Sequence, residues 1–167
     1  MILATVRAIL EALDELSRQP LWPAFDPLTI PVVIYDGEDT WLIRHPHPGL
    51  PFGPWAESEG IWRMPGLHES VRGNTATAVE GVPTAAIMLA SLAGRSPSEV
   101  AAVCVHEMFH VFQQDRYPTW AGDVGAMFRY PLSDPARLTL RRLETEAWRR
   151  AQAASDPSAR HGWARTA

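Results

Sequence analysis

The five residues His106-Glu107-Met108-Phe109-His110 carry the clearest chemistry in this chain. On an α-helix, residues four apart stand one turn above the other with Cβ atoms about 5–6 Å apart, so two imidazoles can share one tetrahedral Zn2+. Glu107 is turned about 100° around the helix axis from His106. It flanks the shared cation without having to ligate it, and can accept a proton from a water activated there as that water attacks a carbonyl. With six histidines in 167 residues, about 0.01 such matches are expected by chance.

The element that must position these residues is marked just upstream. Ser96-Pro97-Ser98-Glu99 places serine at the cap, proline at the first helical position and glutamate at the third, which together satisfy the orphan N–H groups of a helix start. The helix is expected to run to about Asp115, with Pro118 as a stop. Val100, Ala101, Ala102, Val103, Cys104, Val105, Met108, Phe109, Val111 and Phe112 make it apolar on nearly every side, so it must pass through the core. Burying two histidines and a glutamate there without partners would be costly.

A zinc site of this kind needs a third protein ligand. A histidine six positions after the second one, with glycine at the third, would mark a metzincin; Gln113 and Arg116 stand there instead, and that class is excluded. A second helix is expected after Ser133-Asp134-Pro135, running through Ala154, and it offers Glu144 and Glu146. Its apolar positions Leu140, Leu143, Ala147, Ala151 and Ala154 cluster on one face. Glu144 projects about 60° from the centre of that face and Glu146 about 100° away on the opposite flank, which favours Glu144 as the ligand. Five arginines between 137 and 150 read as a solvated face.

The remaining candidates are less specific. Tyr117 or Tyr130 could donate a hydrogen bond to a tetrahedral oxyanion, although packing explains either tyrosine more simply. Gln113 shares the histidine face and could support a ligand. Asp123, in Trp120-Ala121-Gly122-Asp123-Val124-Gly125, could ligate or orient a ligand but reads more directly as a turn residue. His45, His47 and His68 fall in Pro- and Gly-rich loops and are expected to be solvated, a second metal site there being a remote alternative.

The rest of the scaffold is expected to be α+β. Apolar residues at 2, 3, 6, 9, 10, 13 and 16 fit a helical stripe and not a signal peptide. Eight of the fifteen prolines lie between Pro20 and Pro54, which disfavours helix there. Within that region Ile30–Asp36 and Thr40–Arg44 read as a β-hairpin turning at 37–39. A long Trp-, Gly- and Pro-containing loop follows. Two further strands, Asn74–Val79 and Thr84–Leu89, flank Gly81-Val82-Pro83. The expected organisation is one domain over 1–154 and a flexible polar tail over 155–167.

His106-Glu107-Met108-Phe109-His110, followed by Val111-Phe112-Gln113, and the downstream Glu144-Thr145-Glu146-Ala147 resemble the gluzincins, zincin metallopeptidases that combine this histidine motif with a later glutamate. The order of helix, small sheet, active-site helix and glutamate helix fits a compact form. The resemblance implies a zincin-like fold, with a small mixed or antiparallel sheet packed on an N-terminal helix, an active-site helix and a C-terminal glutamate helix. It implies zinc held by His106, His110 and Glu144, Glu107 as general base, and hydrolysis of peptide bonds. It also implies an edge strand from Asn74 to Val79 that aligns an extended peptide by backbone pairing. The alternative is a catalytically weak module of the same fold that binds a peptide or protein partner.

Composition narrows the partners. The hydrophobic fraction of 46% is enough for one real core. Fifteen basic against nineteen acidic side chains give a net charge of −4, which argues against nucleic acid or an anionic membrane. No apolar run is long enough to span a bilayer. Cys104 is the only cysteine, so it forms no internal bridge and reads as a buried free thiol, pointing to a reducing, cytoplasmic setting.

Overall fold

The structure, a computed structural model, describes residues 2–18, 20–55, 60–120, 122–129, 131 and 133–166. The chain divides into two compact units, 1–121 and 122–167. The first is α+β. It begins with α1 (Ile2–Leu16), whose stripe is real: Val6, Ile9 and Leu13 are each at most 1% exposed. Six strands follow, β1 (Val32–Tyr35), β2 (Asp39–Ile43), β3 (Gly53–Pro54), β4 (Ile61–Pro65), β5 (Thr75–Val79) and β6 (Val82–Met88), and then α2 (Pro97–Arg116). They form one mixed sheet in the order β3-β4-β2-β1-β6-β5, with β1 and β6 parallel and every other pair antiparallel.

Alternation along the strands feeds two layers of core. Val32, Ile34, Trp41, Ile43, Ile61, Ala85 and Ile87 pack with α1 and with Val100, Ala101, Cys104, Met108 and Val111 of α2. The intervening Val33, Leu42, Met64, Val79 and Ala86 face the other way, where Phe52 and Val71 from the loops cover them. A side chain such as Ile34 or Ile87, fully buried here, contributes about 1.5–3 kcal/mol of hydrophobic stabilisation.

The expected hairpin is β1–β2, with Val32 opposite Ile43 and Tyr35 opposite Thr40. The expected later pair is β5–β6, joined at Glu80 and Gly81, both at positive φ (46° and 78°). Two such residues in a two-residue connection suit the right-handed twist of the strands, and Gly81 adopts this conformation at no steric cost. β5 lies at the sheet edge, bonded only to β6. α2 packs on both β5 and β6.

Two expectations are corrected. The segment between the hairpin and residue 74, expected to be irregular, contains β3 and β4. Arg63 hides β4 in the sequence because it occupies a position opposite Trp41. It sits there because Asp39 accepts its Nη2–H at 2.7 Å and the rings of Trp41 and Trp55 lie 5.8 and 5.6 Å from its guanidinium carbon. The tail expected to be flexible contains a helix, Pro157–Thr166.

The second unit is helical: α3 (Val124–Arg129), α4 (Pro135–Ala153) and α5 (Pro157–Thr166). Asp134 caps α4 by accepting from the Ala136 N–H at 2.9 Å, and Asp156 accepts from the Ala159 N–H at 2.8 Å at the start of α5. α4 packs on α5, with Ala147 and Ala151 of α4 buried and Arg150 lying 4.8 Å from the Trp163 ring centre.

Candidate metal centre

α2 forms where its start signal places it. The Ser96 hydroxyl accepts from the Glu99 N–H at 3.3 Å, and the Glu99 carboxylate accepts from the Ser96 N–H at 2.8 Å. These hydrogen bonds, the backbone one foremost, hold the Glu99 carboxyl below its ordinary value. The helix buries Val100, Ala101, Cys104, Met108 and Val111. That leaves His106 exposed, His110 half-buried and Glu107 buried at 7% exposure. The carboxylate thus sits toward the core and the two imidazoles toward the outside, as a turn of about 100° per residue requires.

Nε2 of His106 and Nε2 of His110 lie 3.1 Å apart, with the rings nearly perpendicular at 88°. A ligand atom from each of His106, Glu107 and His110 falls within 4.8 Å of the others. Two Zn–N bonds of about 2.0–2.1 Å at a tetrahedral angle would place their nitrogens about 3.3 Å apart, so the donor set fits such an ion. Gln113 adds a support. Its Oε1 lies 3.3 Å from Nδ1 of His110, where an Nδ1–H would donate to it and leave the Nε2 lone pair for a cation.

The other sequence candidates fall elsewhere. Tyr117 follows α2 and is stacked on Trp120 at 4.2 Å, with its edge toward Phe112. Asn74 is engaged at both ends of its amide: Oδ1 accepts from the Met88 N–H at 2.8 Å and Nδ2 donates to the Ser91 hydroxyl at 3.0 Å. Asp123 takes its turn role, accepting from the Ala126 N–H at 2.8 Å. Tyr130 lies outside the described residues. Glu144 and Glu146 are both exposed on α4, in the second unit. Glu146 accepts from Arg150 Nε at 2.8 Å, whereas among the described residues no hydrogen bond or ion pair engages Glu144.

Of the three loop histidines, His45 departs from expectation. It is 5% exposed, its Nε2–H donates to the Val79 carbonyl at 3.0 Å, and its Nδ1 accepts from the His47 N–H at 3.2 Å. With both ring nitrogens engaged it is a structural side chain. His68 departs too: it is half-buried, with its ring 5.1 Å from that of Phe52 and its Nδ1 2.7 Å from the Ser70 hydroxyl, whereas His47 is exposed as expected. Cys104 is buried and free, and burial pushes its thiol up to about 12.

Comparison of the chain with protein-family models, curated proteins and solved structures finds no match. Among the described residues no helix is long and apolar enough to cross a membrane.

Proposed function

We propose that this chain is a zinc-dependent metallopeptidase of compact gluzincin type. The observation that carries this reading is the pair of imidazole nitrogens 3.1 Å apart with a buried carboxylate beside them on one helix. His106 and His110 would hold the metal, and the third protein ligand is the one proposed from the sequence pattern, Glu144. Bound zinc supplies Lewis-acid activation of a water and polarisation of a carbonyl. Glu107 would accept the proton of an attacking water and pass it to the departing amine, since its carboxylate lies beside the two imidazoles. Gln113 orients His110 by holding its Nδ1–H. The exposed edge of β5, packed against α2, supports a peptide as substrate, because an extended backbone can add to that edge as a further strand.

The test is zinc analysis of the purified chain joined to digestion of a broad peptide library. About one zinc per chain and cleavage of some peptides are expected. Zinc retained with no cleavage would leave a module that binds peptide or protein, and a chain that stays metal-free after incubation with zinc would remove the reading.

A further inference from the structure

We propose that residues 45–52 form a strap over the second core layer and that His45 is its acid-released latch. The strap stands apart from the metal centre. Two contacts clamp it to the turn between β5 and β6. His45, 5% exposed, donates through Nε2–H to the carbonyl of Val79, the last residue of β5, at 3.0 Å. Four residues on, Gly49 has a φ of 64°, and the Glu80 side chain folds over it so closely that a Cβ there would meet the Glu80 Cγ at 2.8 Å. Beyond the clamp, Phe52 is 6% exposed and lies in the layer formed by Val33, Leu42, Met64 and Val79. Opening the strap therefore uncovers that layer and frees the turn that ends the edge strand β5.

The latch holds only with a neutral ring. A carbonyl can only accept and a backbone N–H can only donate. The Val79 carbonyl thus takes the Nε2–H, and the His47 N–H, at 3.2 Å, takes the Nδ1 lone pair. A proton at Nδ1 sets two N–H groups against each other and leaves a charge buried without a counter-charge, which is costly. No acid compensates it. On this face of the sheet, alternation brings one titratable strand residue, Tyr35, whose hydroxyl donates to the Gly37 carbonyl at 2.8 Å. The adjacent Arg44 is a cation, and His47 belongs to the strap itself. In the neighbouring loop, His68 lies against Phe52 and Ser70, and Arg72 donates to the Glu69 carbonyl. Among the described residues no hydrogen bond or ion pair joins Glu69 or Glu80 to His45, whose ring nitrogens meet only Val79 and His47. The closed strap is favoured above the ordinary histidine range and is lost as pH falls, because only the open state takes the proton freely.

The experiment is amide hydrogen exchange of the full chain from about pH 7.5 to about pH 5.5, across the ordinary histidine range, corrected for the intrinsic pH dependence of exchange. Protection over 45–52 and 79–81 should fall about tenfold per pH unit below that range, the slope set by one proton taken up on opening, while protection in α2 holds. His45→Gln, which keeps an N–H for the Val79 carbonyl but does not titrate, should abolish the fall. His47→Gln, His68→Gln, Glu80→Gln and His106→Gln should keep it. A fall that survives His45→Gln, one that follows His68 or His106 instead, an equal fall in α2, or no fall in wild type overturns the proposal. Should His45→Gln not fold, the titration of the His45 ring followed by 15N resonances in wild type decides the matter: loss of protection must track that curve, and a ring that gains its proton with protection intact refutes the latch.

Discussion

Glu107 and the residues around it separate roles that one motif bundles together. A carboxylate that moves a proton is needed for turnover and not for holding the metal, so Glu107→Gln should keep zinc near one per chain and lower peptide cleavage by about 10²–10⁴-fold; metal analysis beside kinetic assay checks both halves. The third ligand is decided in the same way. Glu144→Ala should weaken zinc affinity severely, while Glu146→Ala, which removes only an exposed partner of Arg150, should leave it nearly intact. Equal losses or reversed losses in a competition assay with a zinc chelator would reassign the ligand. Cys104 gives a control at this scale: buried, with its thiol pushed up to about 12, it should resist iodoacetamide at neutral pH in the native chain and react after unfolding. The histidine motif was legible because the periodicity of a helix translates spacing directly into proximity. His45 was not legible in the same way. Its flanking prolines and glycine read as surface loop, and only the folded chain brings the Val79 carbonyl, 34 residues away, to its Nε2.

At the level of elements, helices declared themselves through their ends. Ser96-Pro97-Ser98-Glu99 fixed the start of α2, and its reciprocal hydrogen bonds form as that pattern requires. Ser96→Ala should cost about 1 kcal/mol, a loss of about 2–4 °C in Tm for a chain of this size. The pH dependence follows from Glu99. Its folded-state value is depressed by the Ser96 hydrogen bonds, so its contribution is present above the ordinary carboxylate range and disappears as pH falls through the depressed value. The Tm gap between wild type and Glu99→Gln should therefore be open at pH 7 and close on acidification; a gap that widens in acid would contradict it. The same start signal recurs at Ser155-Asp156-Pro157, repeating Ser133-Asp134-Pro135, yet the polar composition of 155–167 outweighed it in the sequence reading. α5 forms because the Asp156 cap is joined by Arg150 packing on Trp163 and by Arg160 donating to the Ala154 carbonyl at 3.0 Å, contacts that composition does not reveal. β4 was obscured for the opposite reason. An arginine at a strand position facing two tryptophans breaks the alternation from which strands are recognised, and the compensating Asp39 comes from another strand.

For the whole molecule, charge and metal have separate consequences. Residues 1–121 carry seven arginines against fourteen acids, and 122–167 carry eight arginines against five acids. The unit bearing the histidine pair is thus the acidic one. On the proposed reading zinc should act on the stability of the native chain, because the helix that sets His106 and His110 side by side is lost on unfolding. A ligand that binds the native state alone stabilises it by about 4 kcal/mol when its free concentration is a thousandfold above Kd. For a chain of this size that corresponds to about 8–16 °C in Tm. Thermal unfolding followed by circular dichroism, with free zinc set by a metal buffer, should therefore show Tm rising with zinc and falling on chelation. His106→Ala should abolish the response, and Glu144→Ala should move the onset to much higher free zinc. Glu107→Gln should respond as wild type does, since its carboxylate is assigned to proton transfer. A Tm that is indifferent to zinc in the wild-type chain would refute the metal centre without reference to any substrate, and a response that survives His106→Ala would show that the stabilising ion binds elsewhere.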